Sequence, residues 1–148
     1  MPSARHSVVI DRPIHEVFAY VADGTTAPTW RASVKDIKLA AGTPGGVGAR
    51  YEQGMKGPGG RVAADYEIVE AIPDRLLAFQ VVAGPARPHG RYDFEPAGSG
   101  TRVTFSLDWE PKGFKEKLMA PMVARTMPGE VATLDDLKRV LEARRPSA

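Results

Sequence analysis

The chain has 148 residues, 43% of them hydrophobic and 26% charged, with 20 Lys and Arg against 18 Asp and Glu for a formal net charge of +2. This near-average usage excludes a disordered chain, the small excess charge gives no footprint for nucleic acid, and no stretch approaches the roughly 20 apolar residues that span a bilayer. Zero cysteines remove disulfides, thiolate catalysis and cysteine metal sites, so packing must hold the core. The N-terminal MPSARHSVVID is too short in apolar residues for a secretory segment, which makes the cytoplasm the expected location, and the length suits one domain over residues 1–148.

Arg5 to Ile10 reads as a short first strand. Asp11-Arg12-Pro13 signals a helix start, and Ile14, Val17, Phe18 and Val21 then recur at i, i+3, i+4 and i+7, a stripe that docks on a sheet. Gly24 is the expected stop. The following TTAPTWRAS, with Pro28 and Trp30, reads as a short second helix or turn. From Val34 to Glu110, breakers at Gly42 to Gly48, Gly57 to Gly60, Pro73-Asp74, Gly84 to Pro88 and Pro96 to Gly100 separate runs of β-type alternation. They predict strands near 34–40, 49–56, 61–72, 76–82, 90–95 and 101–110, seven in all with the first.

The last strand, GTRVTFSLDWEP, alternates strictly. Val103, Phe105, Leu107 and Trp109 fall on one side, Arg102, Thr104, Ser106 and Asp108 on the other. Its apolar face must be covered. Phe114, Leu118, Met122, Met127, Val131, Leu134, Leu137 and Leu141 recur at helical spacing and are the expected cover. Pro121 and Pro128 lack the N–H groups that would bond the carbonyls of Lys117 and Ala124. A kink or an interruption is expected at Pro128-Gly129, with 130–143 as the regular packed segment. The weakened stretch 114–128 is then either a mobile gate to the interior or simply one helix ending before another. Arg144-Arg145 reads as a solvated helix end.

The same parity sorts the middle strands. Tyr51, Gln53, Met55, Val62, Ala64, Tyr66, Ile68, Leu77, Phe79, Val81, Tyr92 and Phe94 share one face with the apolar side of the last strand. Arg50, Glu52, Lys56, Asp65, Glu67, Arg91, Asp93, Glu95 and Arg102 take the other. An acid/base enzyme needs a titratable group facing its cavity, whereas this inner face offers tyrosine hydroxyls, an amide and indoles. Such a lining suits a mostly apolar ligand oriented by a few polar groups. The candidate ligand-binding residues are Tyr51, Gln53, Tyr66, Phe79, Tyr92, Phe105, Trp109 and Met122. Against this, Tyr66 and Tyr92 also read as core aromatics, Trp30 and Trp109 as structural anchors, and the methionines 119, 122 and 127 as ordinary core. His6, His15 and His89 have no metal-ligand spacing, and Ser99 and Ser106 lack a nucleophile elbow. No metal, cofactor or catalytic group is called for.

The pieces IDRPIHEVFAYVAD, PTWRASV, YEIVEAIPDRLLAF, GTRVTFSLDWEPKG and LDDLKRVLE, in that order along nearly the whole chain, resemble the SRPBCC superfamily, its START and polyketide cyclase/dehydrase group. The resemblance implies an α+β helix-grip fold: a curved seven-stranded antiparallel sheet wrapped around a long C-terminal helix, with two short helices between strands one and two. It also implies binding or transport of a small hydrophobic molecule, such as a lipid, quinone or polyketide, in a cavity between sheet and helix. The alternative is a polyketide cyclase/dehydrase working in that cavity, which would gain if His89, Arg91 or Asp93 turned inward. A protein-interaction module would instead need an exposed apolar patch, and the strand alternation shows none. The expected partner is thus a small hydrophobic molecule, with no nucleic acid and no stable membrane insertion.

Overall fold

The computed structural model describes residues 2–144. Strand β1 (Ser3–Ile10) leads into helix α1 (Ile14–Ala22) and a 3₁₀ helix (Gly24–Thr29). Seven more strands follow: β2 (Val34–Ala41), β3 (Arg50–Met55), β4 (Val62–Ala63), β5 (Tyr66–Ile72), β6 (Leu76–Val81), β7 (His89–Ala97) and β8 (Gly100–Asp108). Helices α2 (Gly113–Val131) and α3 (Leu134–Ala143) end the chain. All strands join one antiparallel sheet in the order β1-β8-β7-β6-β5-β3-β2, with β4 paired to β3. This is the helix-grip α+β architecture.

The sheet has eight strands rather than seven because the expected strand 61–72 is interrupted. Its two halves keep one register against β3, with Gly54 opposite Ala63 and Tyr51 opposite Tyr66. Between them the Asp65 carboxylate, instead of a backbone carbonyl, accepts the Gln53 N–H at 3.2 Å. The ladder breaks for two residues without a slip of parity, so the inner-face assignment survives. Tyr51, Gln53, Ile68, Phe79, Tyr92, Val103 and Phe105 are all buried, while Arg50, Glu52, Arg91 and Arg102 are exposed.

Asp23, not Gly24, ends α1; its carboxylate accepts from the Thr25 N–H at 3.1 Å and starts the 3₁₀ helix. Gly24 serves closeness instead. A methyl group there would overlap the Tyr66 hydroxyl and the Tyr51 ring.

The C-terminal region departs from expectation in two ways. Helix α2 runs through both prolines and stops only at Ala132-Thr133, where a tight turn leads into α3. Lys117 and Ala124, whose carbonyls lose a partner to the prolines, both lie on the exposed side, where solvent reaches them and no buried acceptor is left unpaired. The turn is fixed by Thr133, whose hydroxyl donates to the Glu130 carbonyl at 2.5 Å. Second, the sheet is covered only by part of the expected series. Met127, Val131, Leu134, Leu137 and Leu141 are buried, but Phe114, Leu118 and Met122 are 77%, 67% and 53% exposed. These three share the outward face of α2, while Met119, Ala120 and Val123 face the core. The apolar patch that strand alternation did not reveal therefore lies on a helix.

Helix α3 packs beside edge strand β1. Lys138 Nζ donates to the Val9 carbonyl at 2.6 Å, and Asp11 N donates to the Glu142 carboxylate at 2.9 Å. Arg144 is exposed, as expected of a solvated helix end, and its guanidinium lies 5.1 Å from the Tyr20 ring centroid. Arg145 lies outside the described residues.

Candidate functional site

Five aromatic side chains cross the inner face, one from each of five strands. Tyr51 stacks on Tyr66 at 5.1 Å between ring centroids, Tyr66 meets Phe79 at 5.2 Å, Phe79 meets Tyr92 at 6.0 Å, and Tyr92 stacks on Phe105 at 4.2 Å. The last four recur every thirteen residues, the repeat of consecutive hairpins whose inner positions fall level across the sheet. Gly90, opposite Phe79, leaves room for the Phe79 ring; a methyl group there would overlap it.

Between this aromatic floor and α2 lies a cavity of about 310 Å³, walled mainly by apolar side chains including Met55, Phe79, Val81, Leu107, Val123 and Met127. It is at the lower end of small-molecule sites, roughly 300–1,000 Å³. A second chamber of about 20 Å³ lies under the 3₁₀ helix, lined by Trp30, Tyr66, Tyr92 and Gly24 among others. Arg31 and Phe79 border both spaces.

Arg31 was not among the residues anticipated on the inner face, and neither was Glu130. The strand parity did keep its own charges outside, but these two arrive from the segment after the 3₁₀ helix and from the end of α2. Their side chains are only 10% and 23% exposed. Arg31 Nη2 donates to Glu130 Oε2 at 3.0 Å, and Ser33 Oγ donates to the same oxygen at 3.1 Å. Burial works against the Arg31 charge, but Tyr92 and Glu130 outweigh it and hold its pKa above the ordinary value. Burial likewise pushes the Tyr92 phenol up to about 12, against the pull of Arg31, and raises Tyr66 further. Both hydroxyls stay protonated at physiological pH and present donors, not bases.

Four buried side-chain nitrogen and oxygen atoms lack a partner among the described residues, and three belong to residues that line these spaces: Arg31 Nε on both, Gln53 Oε1 on the larger and Trp30 Nε1 on the smaller. Gln53 itself is held by its Nε2, which donates to the Ala64 carbonyl at 3.2 Å, so its oxygen is the free end. A buried unpaired group costs about 1–3 kcal/mol. Arg31 and Gln53 put two such groups on the wall of the larger, otherwise mainly apolar cavity, and Arg31 and Trp30 put two on the smaller space.

Of the anticipated residues, Gln53, Phe79 and Met122 line the larger cavity, with Met122 at its mouth, and Tyr66, Phe79 and Tyr92 line the smaller chamber. Tyr51, Phe105 and Trp109 border neither. The Tyr51 hydroxyl accepts from Gly45 N at 3.2 Å and donates to the Ala22 carbonyl at 3.5 Å, so it props the wall from behind. Phe105 is fully buried beneath Arg31, whose guanidinium lies 5.9 Å from its ring centroid. Trp109 is buried at the far end of β8, beside a separate surface groove with His89 and Lys112. His89 approaches Asp108 at 3.7 Å, and Arg91 pairs with Asp93 at 2.9 Å on the outer surface. The inward turn that would have favoured a cyclase does not occur in β7. Two signals for the missed pair were present: Arg31 follows Trp30 directly in an apolar connection, and Glu130 falls on the helix face of Val123 and Met127.

The curved sheet, the covering C-terminal helices and the open-mouthed, largely apolar cavity between them define a helix-grip container of the SRPBCC superfamily. The chain belongs to the polyketide cyclase/dehydrase and lipid transport family, whose model matches residues 1–142. No curated protein matches it in sequence. Among solved structures, TTHA0849 from Thermus thermophilus is similar over 97% of this chain and 100% of that one, with 25% identity and a TM-score of 0.78. The di-domain ARO/CYC BexL from the BE-7585A biosynthetic pathway matches 96% of this chain and 47% of its own, with 18% identity and a TM-score of 0.75. A START superfamily protein from Mycobacterium smegmatis matches 96% of this chain and 95% of its own, with 19% identity and a TM-score of 0.71. Among the described residues no helix is long and apolar enough to cross a membrane.

Proposed function

We propose that this protein binds and carries one small, mainly apolar, uncharged molecule bearing a polar oxygen group, held between the sheet and α2. The observation that carries the reading is the apolar cavity of about 310 Å³ with Arg31 and Gln53 on its wall, two residues whose Nε and Oε1 atoms are buried without a partner. A hydroxyl on the ligand has an acceptor in Gln53 Oε1 and a donor in the Arg31 guanidinium. The ligand is uncharged because Arg31 and Glu130 already balance each other, and a further buried charge would have no partner. Quinols, phenols and hydroxylated lipids or polyketides meet this description, and a cytoplasmic carrier role follows.

Cyclase or dehydrase chemistry is the second reading, supported by one feature. Arg31, Tyr66 and Tyr92 border the space of about 20 Å³, which has room for a single oxygen-sized group, and offer it a fixed positive charge with two protonated hydroxyls, a donor set suited to one developing enolate oxygen reaching in from the larger cavity. Titration with 1-naphthol, followed by tryptophan emission in a Trp109→Phe background that isolates Trp30, tests the binding reading. One saturable site is expected, weakened about tenfold by Arg31→Met or Gln53→Leu, the scale of one lost buried hydrogen bond. Absence of saturable quenching, or unchanged affinity in both variants, contradicts it.

A further inference from the structure

The outward face of α2 carries Phe114, Leu118 and Met122 at successive i, i+4 positions, all three more than half exposed. On a helical projection Pro121 and Arg125 fall within this face, while Lys115 and Lys117 lie on its two shoulders, and all four are exposed. Lys112 stands at the start of the helix. The acids nearby are turned from the ridge: the Glu116 carboxylate accepts from Lys112 N at 2.9 Å, and Asp108 and Glu110 share a groove with it and Lys112 at the helix start. An apolar ridge about 12 Å long is thus flanked by Lys115 on one shoulder and Lys117 on the other, with the acids gathered at the helix start away from it.

We infer that this ridge is a docking surface for an anionic lipid bilayer. The charge pattern decides between partners. Lysines on both shoulders of an apolar stripe reach anionic headgroups while the stripe enters the boundary of the acyl chains, about 5–10 Å deep. A second copy of this chain would set lysine against lysine across the two-fold. Three side chains on a convex helix also fall well short of the roughly 800 Å² per partner of a stable protein interface. The ridge adjoins the cavity, since Met122 belongs to both and Lys56 stands on the same cavity wall. Docking therefore sets the cavity mouth against the lipid. The inference stands on the surface alone, so it holds or fails independently of what the cavity binds.

Flotation of the full-length protein with vesicles of an equal mixture of phosphatidylcholine and phosphatidylserine, against phosphatidylcholine alone, tests it. Binding to the mixed vesicles only is expected, with release when salt shortens the Debye length from about 10 to about 3 Å. Leu118→Asp, at a position exposed enough to leave the fold intact, should lower binding by about tenfold or more. Lys115→Gln with Lys117→Gln should lower it by about fivefold per lysine while leaving the apolar ridge untouched. Equal flotation with both vesicle types, none with either, or full binding by both variants overturns the inference. So does a concentration-dependent dimer in sedimentation that Leu118→Asp abolishes, which would make the ridge a contact between copies.

Discussion

Removing the Glu130 carboxylate alone should be more damaging than removing it together with Arg31. In Glu130→Leu the guanidinium, on a side chain only 10% exposed, keeps its charge with no counter-charge, and Ser33 loses its acceptor. Breaking one partner of a buried pair costs about 3–5 kcal/mol, and the 23% exposure of Glu130 sets the expectation at the lower end, about 3 kcal/mol. At about 2–4 °C per kcal/mol for a chain of this length, the melting temperature should fall by about 6–12 °C. In Arg31→Met with Glu130→Leu the charge disappears and apolar volume replaces it, so stability should return to within about 1 kcal/mol of the parent. Urea unfolding of the parent, both single variants and the double variant closes the cycle. A loss below about 1 kcal/mol in Glu130→Leu, or a double variant no more stable than the single, would refute the view that the pair is a desolvated, mutually dependent unit.

The Tyr92 phenol, held up to about 12 by burial, should make stability fall at high pH. The unfolded chain ionises near pH 10 while the folded one does not, so stability is intact below about pH 10 and is lost as pH rises toward 12; a Tyr92→Phe variant should show a shallower loss in chemical denaturation across that window. Gly90→Ala should force the Phe79 ring from its place and cost about 1–3 kcal/mol, with Phe79→Leu in the same chain recovering most of it in thermal unfolding. Of the nineteen residues of α2 only Met127 and Val131 are buried, against Leu134, Leu137 and Leu141 in the ten of α3. Hydrogen exchange should therefore run faster in 114–126 than in 134–143, and saturating 1-naphthol should slow the former if α2 gates the cavity. Equal protection of both segments without ligand leaves the prolines architectural.

The strands were legible because each is half-buried and alternates, so parity assigned the inner residues once the turns were found. That logic carried Gln53, Tyr66, Phe79 and Tyr92 to the cavity walls, and the Asp65 interruption did not disturb it because the register on β3 is unbroken. It had nothing to say about Arg31, which sits in a short irregular connection with no periodicity, or about Glu130, whose partner is 99 residues away. Helical spacing showed that Phe114, Leu118 and Met122 share a face but not that this face points outward. That choice depends on which side of α2 meets the sheet, and Met119, Val123 and Met127 fill the inner side instead. The prolines were read as breakers, but the carbonyls they leave unbonded, at Lys117 and Ala124, lie on the exposed side of α2, and which side of the helix faces solvent is set by its packing on the sheet.

Occupancy of the cavity is tested most directly by native mass spectrometry of the protein after incubation with an organic extract of its own cells, beside Val123→Trp, which fills the cavity from α2. The account predicts a one-to-one adduct of a neutral molecule on the parent, released by denaturation and absent from Val123→Trp. A parent that stays at its bare mass, or an adduct that survives in Val123→Trp, would contradict it.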